Sequence, residues 1–253
     1  RGIKTTTFSN GSVMGSRVLN GLRDSKTDIT FSIDGASAEV FERIRTGSSF
    51  KNVLANIANL SAQRTGHPKL LRGYTVVTKH NVMELPAIVR LVAGLKLDTL
   101  VYQLSLNSWG KEKMEALIAP QRAYELSVTE EQITLAKMEA ERLGLPLTIA
   151  EDRFSRTKKC RWAWTSAYIA SNGDVVPCCV LADSDTVKLG NLFEEDFSKI
   201  WNGAGYRELR RQIRDHDLPE YCKNCYVDAD PAQPPKPLGK YRIIKVEPLK
   251  AVG

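Results

Sequence analysis

No run of about 18 apolar residues occurs in this sequence; the best candidate, LPAIVRLVAGL, is short and broken by Arg90. A membrane-spanning helix is therefore not expected, and no membrane partner. No secretory leader is visible at the start, where RGIKTTTFSNG reads as a strand and a turn rather than a charged segment leading into an apolar one. Cysteine is scarce and odd in number, with five residues. With no leader visible, that count leads us to expect a reducing, cytoplasmic setting rather than a disulfide scaffold. Histidine is rarer still: His67, His80 and His216 are scattered and show no ligand spacing. The bias of a disordered chain is missing too, since 42% hydrophobic and 26% charged residues are ordinary for a globular protein.

The 253 residues accommodate one large domain, or a medium domain plus a small one. The net charge of +7 concentrates in RFSRTKKCR around Cys160 and in RELRRQIR from Arg207 to Arg214. Basic runs of this kind mark nucleic-acid surfaces when aromatic residues interleave with them. None do here, so these runs read as solvated faces and a nucleic-acid partner is not expected.

The first two-thirds of the chain alternates between strand and helix patterns. Strands are expected at Ile3–Phe8, Asp28–Ile33, in LLRGYTVVT and in TLVYQLSL. Between them lie a short helix towards Leu22, a helix capped at DGAS, and one from Phe50 with Val53, Leu54, Ile57 and Leu60 on one face. Further helices place Leu85, Ile88, Val89 and Val92 together, and Ile133, Ala136, Ala140 and Leu143 together. Strand and helix alternating at intervals of about 30 residues predict βαβ units and a parallel sheet. The fold class is α/β. Ligands of such sheets bind at the C-terminal ends of the strands, here Ser9 and Asn10, Ser32 and Asp34, Thr78–Asn81 and Gln103–Asn107. Polar strand ends are also ordinary turns and helix caps, so their polarity alone decides nothing.

Beyond Pro146 the texture changes. AYIASNGDVVPC predicts a hairpin turning at Asn172 and Gly173, followed by a short helix in EDFSKIWNG, a basic helix and the loop CKNC. The expected organisation is a barrel-like part over residues 1–150, a small cysteine-bearing module over 151–230, and an extended Pro- and Lys-rich tail over 231–253. The hairpin brings Cys160, at its entry, towards Cys178, at its exit. The C-x2-C loop carries Cys222 and Cys225 on one turn. Adjacent Cys178 and Cys179 would point to opposite sides of an extended strand, so only one of them faces the site. Four thiolates hold zinc or an iron–sulfur cluster, and spacing does not separate the two. A lone cysteine is otherwise a small buried apolar group.

ITFSIDGASAEVFERIRTGSSFKNVLANI resembles the fourth barrel strand and following helices of radical S-adenosylmethionine (radical SAM) enzymes. YIASNGDVVPCC, LGNLFEEDFSKIWNG and CKNC resemble the SPASM or twitch module of that family, whose signature is C-x9–15-G-x4-C. Cys160, Gly173 and Cys178 fit the signature, which selects Cys178 over Cys179. The resemblance implies a partial (β/α) barrel of the radical SAM type plus a small cysteine-rich twitch module, a β-hairpin and helix. It implies one auxiliary [4Fe–4S] cluster on Cys160, Cys178, Cys222 and Cys225, and S-adenosylmethionine contacts at Asn10, Ser32 and Asp34. Pro231 and Pro235 stand where a full SPASM module continues with cysteines, so the single-cluster form is expected.

The family's C-x3-C-x2-C motif, which binds the catalytic cluster, does not occur in these 253 residues. A chain that opens at Arg1 in what reads as a mid-domain strand is expected to be a fragment, with the second [4Fe–4S] cluster and S-adenosylmethionine bound by the whole protein. In the family a 5′-deoxyadenosyl radical takes a hydrogen atom from the substrate, and an auxiliary cluster ligated by four cysteines is the expected electron acceptor. The implied partners are a small-molecule, sugar or peptide substrate and an external electron donor. Two other readings stand beside this one: a four-cysteine zinc knot that only stabilises a domain, and a degenerate barrel serving electron transfer or binding.

Overall fold

A computed structural model describes residues 3–104, 106, 112–121, 126–150 and 160–223. The expectations that fall on Cys225, on the tail from residue 231 and on the basic residues of 153–159 lie outside the described residues. The described residues divide into two compact units. The first runs to Leu106 and resumes from Gln121 through residue 150; the second holds residues 112–120 and 160–223.

In chain order the first unit comprises β1 (Thr6–Ser9), α1 (Ser16–Ser25), β2 (Asp28–Ser32), α2 (Ala38–Ile44), α3 (Phe50–Ala62), β3 (Leu71–Val76), α4 (Leu85–Gly94) and β4 (Thr99–Gln103). After α5 (Glu112–Ile118), which groups with the second unit, come α6 (Leu126–Leu143) and β5 (Leu147–Ala150). The five strands form one sheet in the order β1-β2-β3-β4-β5, every pair parallel. This is the expected partial barrel sheet. β5 was not expected as a strand: LTIA is only four residues long and follows Pro146, where the texture of the sequence changes.

Side chains alternate across a strand and registered partners share a face, so the pairing sorts the sheet into two surfaces. Ile29, Phe31, Leu71, Gly73, Thr75, Leu100 and Tyr102 lie on the surface that meets the helices, and all of them are buried or covered. A Cβ on Gly73 would stand 3.1 Å from Val92 of α4, which shows how closely that helix lies on the sheet. The Tyr102 hydroxyl donates to the carbonyl of Leu85 at 2.5 Å and ties β4 to the start of α4. Leu85, Ile88, Val89 and Val92 are completely buried, as their period predicts. Burial of each such side chain contributes about 1.5–3 kcal/mol. On α6, which packs against α4, Ile133, Ala136 and Ala140 are buried, but Leu143 in the last turn is 37% exposed.

The second unit is built from α7 (Trp162–Thr165), β6 (Tyr168–Ile169), β7 (Asp174–Val176), β8 (Gly190–Asn191), α8 (Phe197–Trp201), α9 (Ala204–Asp215) and α10 (Glu220–Lys223). β6 and β7 form the expected hairpin, and β8 adds a third antiparallel strand on the far side of β7. Gly173 takes φ +84° in the turn, a conformation that favours glycine, and its N–H donates to the Ala170 carbonyl at 3.0 Å. Both α7 and α8 pack on α9.

The turn after β2 depends on a close approach. A Cβ on Gly35 would lie 2.6 Å from the backbone nitrogen of Phe41 and 2.9 Å from its Cα, so α2 must shift to admit one. Gly35→Ala is expected to destabilise the first unit by about 1–3 kcal/mol. Gly94→Ala, where nothing lies within 4 Å, should be neutral or stabilising by about 0.5 kcal/mol. Urea unfolding curves of the two variants check this; equal midpoints would contradict it.

Candidate functional site

The sheet surface opposite the helices carries different chemistry. Phe8, Thr30, Ser32, Arg72, Tyr74, Val76 and Gln103 share it through the strand register. Tyr74 donates its hydroxyl to Gln103 Oε1, and Phe8 meets the Tyr74 ring edge-on at 5.5 Å between centroids. Arg72 Nη1 lies 3.4 Å from Thr30 Oγ1. This is a half-exposed aromatic and polar surface backed by a mainly apolar one, on which Thr75 donates its hydroxyl to the Ile33 carbonyl. Sequence reading did not single out Phe8, Arg72 or Tyr74, although the alternation in RGYTV placed the last two on one face.

The three residues expected near S-adenosylmethionine take up different positions. Ser32 ends β2 on the open surface, half-buried and in register with Tyr74. Asp34 is buried, and both of its oxygens are engaged: Oδ1 accepts from the Val76 N–H at 2.8 Å, and Oδ2 accepts from Arg45 Nε at 2.7 Å within an ion pair. Burial pushes its carboxyl above the usual range, and the Arg45 charge opposes that push. Asn10 is exposed in the turn after β1, where its Oδ1 accepts from the Ser12 N–H at 3.1 Å. Asn56 of α3 fastens that turn by donating to the carbonyls of Gly11 and Ser12.

A second polar group at these strand ends lay within the expected segment Thr78–Asn81. Asn81 is completely buried; its Nδ2 donates to the carbonyls of Asp34 at 3.0 Å and Val76 at 2.9 Å, and its Oδ1 accepts from the Thr78 N–H. Glu84 accepts from the Ala36 N–H and from the Ser37 hydroxyl, which in turn caps α2. His80 pairs with Gln121 at 2.7 Å. Asp34, Asn81 and Glu84 hold the β2 and β3 ends to each other, and Ser32 stands on the surface they frame.

In the second unit the cysteine-bearing segments converge on α9. Tyr206, Leu209 and Ile213 form its buried face. Leu209 and Ile213 pack with Ala163, three residues past Cys160, and with Cys222 of α10. One turn earlier Tyr206 packs with Val175 of β7 and Ile200 of α8. Cys178 lies close enough that its charge adds to the upward shift of the Tyr206 phenol; burial is the main cause, Arg210 opposes it, and the phenol is pushed up to about 12. β7 ends at Val176 and Cys178 is still extended, but Cys179 begins a 3-10 turn. The two adjacent cysteines are thus separated by a bend in the chain rather than by strand alternation alone. Cys160, Cys178, Cys179 and Cys222 are all half-buried. Among the described residues no three His, Cys, Asp or Glu side chains are grouped closely enough to hold a metal ion, and Cys225, the fourth expected ligand, lies outside them.

Trp201 stacks on Phe197 at 5.6 Å and meets Tyr206 at 4.6 Å, so it belongs to the packed core. Trp164 is 45% exposed and does not. Arg210 crosses this group: Nε donates to the Ala163 carbonyl and Nη1 to the Trp201 carbonyl, each at 2.8 Å, and its guanidinium lies 4.6 Å from the Trp201 ring centroid. Two buried donors beside it have no partner among the described residues, the Tyr206 hydroxyl and Arg210 Nη2. An unmade hydrogen bond at a buried donor costs about 1–3 kcal/mol. Sequence reading took RELRRQIR for a solvated face, and one of its arginines is not.

The hairpin that positions Cys178 is locked by Asp174. Its carboxylate pairs with Lys188 at 2.7 Å and accepts from Asn191 Nδ2 at 2.8 Å and Asn172 Nδ2 at 2.7 Å. Lys188 above all holds this carboxyl well below the usual range. A depressed native pKa adds stability above the unfolded value near 3.8, and that stability is lost as pH falls. Unfolding of the module, followed by fluorescence of Trp162, Trp164 and Trp201, should therefore steepen on acidification below about pH 4. Asp174→Asn should be less stable at neutral pH with a flatter acid limb; parallel acid limbs would contradict this.

Comparison with known proteins bears on both units. Residues 160–226 match SPASM, an iron–sulfur cluster-binding domain. The mycofactocin maturase MftC of Mycobacterium ulcerans (strain Agy99) is 27% identical over 205 residues, covering 78% of this chain and 53% of that protein. Streptococcus suis SuiB bound to precursor peptide SuiA superposes with a TM-score of 0.62 at 16% identity, covering 82% of this chain and 50% of that one. The structure of anSMEcpe with bound AdoMet gives a TM-score of 0.57 at 13% identity, over 88% of this chain and 64% of that one. The chain thus spans about half the length of MftC and SuiB. No helix among the described residues is long and apolar enough to cross a membrane.

Proposed function

We propose that this chain, a relative of the radical SAM enzymes with an SPASM iron–sulfur domain at residues 160–226, is the part of such an enzyme that carries one auxiliary [4Fe–4S] cluster. Its ligands are Cys160, Cys178, Cys222 and Cys225. One observation carries the reading: the SPASM match spans all four cysteines, and the segments bearing the three described ones pack on a single helix, α9. An all-thiolate donor set suits iron–sulfur clusters or zinc rather than hard cations. When bound, the cluster supplies one-electron transfer, and four cysteine ligands leave it no open position for substrate.

The remaining assignments belong to this chain's own side chains. Ser32 binds S-adenosylmethionine from the open surface of the sheet, together with Tyr74 and Gln103. Asp34 holds the β2 end in place through Val76 and Arg45. Asn10 offers its exposed amide at the neighbouring strand end. Of the sugar, peptide and small-molecule substrates, a peptide has the most support, because the solved complexes of SuiB and anSMEcpe hold peptides. The second [4Fe–4S] cluster and the external electron donor belong to the whole protein. The domain limits follow the same reading: barrel part to residue 150, twitch module to 230, tail beyond.

Anaerobic reconstitution followed by iron, acid-labile sulfide and zinc analysis tests the ligand set. The wild type should hold iron and sulfide in about 1:1 ratio; Cys178→Ala should lose most of both, and Cys179→Ala should keep them. Stoichiometric zinc without sulfide would establish the structural knot instead. Equal loss in the two variants would contradict the choice of Cys178.

A further inference from the structure

Tyr206 and Arg210 stand one turn apart on α9, on the side that faces the cysteine-bearing segments. Tyr206 is completely buried, and its ring is committed to Val175, Ile200 and Trp201, yet its hydroxyl has no partner among the described residues. Arg210 has spent Nε and Nη1 on the carbonyls of Ala163 and Trp201, and its buried Nη2 is equally unpartnered. The Arg210 guanidinium lies 5.1 Å from the Tyr206 ring centroid, so the two spare donors belong to one neighbourhood. On the hairpin side, Val175 of β7 packs on Tyr206, and Cys178 follows it three residues later. Phenylalanine would fill the same core without the hydroxyl, and an apolar or shorter side chain would avoid burying Nη2. Two donors without acceptors among the described residues, on the helix that the cysteine-bearing segments pack against, call for an acceptor-only ligand. Thiolate and sulfide sulfurs accept hydrogen bonds and donate none.

We infer that the Tyr206 hydroxyl and Arg210 Nη2 donate hydrogen bonds to the sulfur atoms of the cluster on the cysteine module and so raise its reduction potential. The inference rests on the iron–sulfur reading given above. One-electron reduction adds negative charge to the cluster, and that charge spreads onto its sulfurs. Donors aimed at those sulfurs therefore favour the reduced form. Tyr206 and Arg210 are positioning and tuning residues; neither is a ligand.

The test is a dye-mediated anaerobic reductive titration of the reconstituted chain with dithionite, comparing wild type, Tyr206→Phe and Arg210→Lys. Thermal unfolding of the metal-free proteins runs alongside it. Tyr206→Phe should load iron and sulfide like the wild type. Its cluster should be roughly tenfold harder to reduce, a shift of about 59 mV to more negative potential for one electron. Its metal-free midpoint should be no lower, because the lost hydroxyl has no partner among the described residues. Arg210→Lys keeps the charge but loses Nη2, and should shift the potential the same way while also lowering the metal-free midpoint through the lost carbonyl bonds. Full loading with unchanged potentials in both variants would overturn the inference and leave the iron–sulfur reading standing. A wild type that takes up zinc and no sulfide would overturn both.

Discussion

The guanidinium of Arg210 reaches the carbonyl of Ala163 with one nitrogen and that of Trp201 with another, and the layout of the cysteine module follows from that span. Ala163 sits in the turn of helix just after Cys160, and Trp201 closes α8. A single side chain of α9 thereby fixes the segment that begins the module to the helix that follows its small sheet. The apolar face of the same helix completes the arrangement: Tyr206 backs the hairpin leading to Cys178, and Leu209 and Ile213 receive Ala163 and Cys222. Elements of two to five residues such as β6, β7, α7 and α8 cannot persist alone. Their positions come from a shared twelve-residue helix and from the Asp174 lock on the hairpin.

The first unit separates support from contact in a similar way. One surface of its sheet is mainly apolar and closed by helices, and the other is aromatic and polar. Where the two meet, at the C-terminal ends of β2 and β3, Asp34, Asn81 and Glu84 use their polar atoms on backbone N–H and carbonyl groups, on Arg45 and on Ser37. These residues are buried or half-buried and saturated, which makes the strand ends rigid. Ser32, two residues before Asp34, is left on the open surface beside Tyr74. Rigid strand ends framing a polar surface are what a bound cofactor needs in order to be held in one orientation.

Much of this was legible in the sequence because it depends on period. The four buried positions of α4 and the core of α3 followed from 3.6-residue spacing, and the Asn172-Gly173 turn from its dipeptide. β5 was not legible. LTIA is short, follows a proline and acquires its identity only by pairing with β4. Within SIDG, composition could not divide the work among Ser32, Asp34 and Gly35, since that division depends on strand register, on Arg45 and on the nearness of Phe41. The role of Arg210 was hidden inside a run of basic residues whose other members Arg211 and Arg214 do pair on the surface. Only the packing of α7 and α8 on α9 sets it apart.

The central claim is that this module holds one cubane cluster on four thiolates. Mössbauer spectroscopy of the chain reconstituted with 57Fe tests it most directly. The account predicts about four irons per chain, all in tetrahedral sulfur environments with the valence averaging of an oxidised [4Fe–4S] centre, and no iron site altered by adding a peptide or S-adenosylmethionine. A spectrum with one distinct iron that responds to either addition would contradict complete cysteine ligation, and a chain that binds zinc and takes up no 57Fe would contradict the cluster itself.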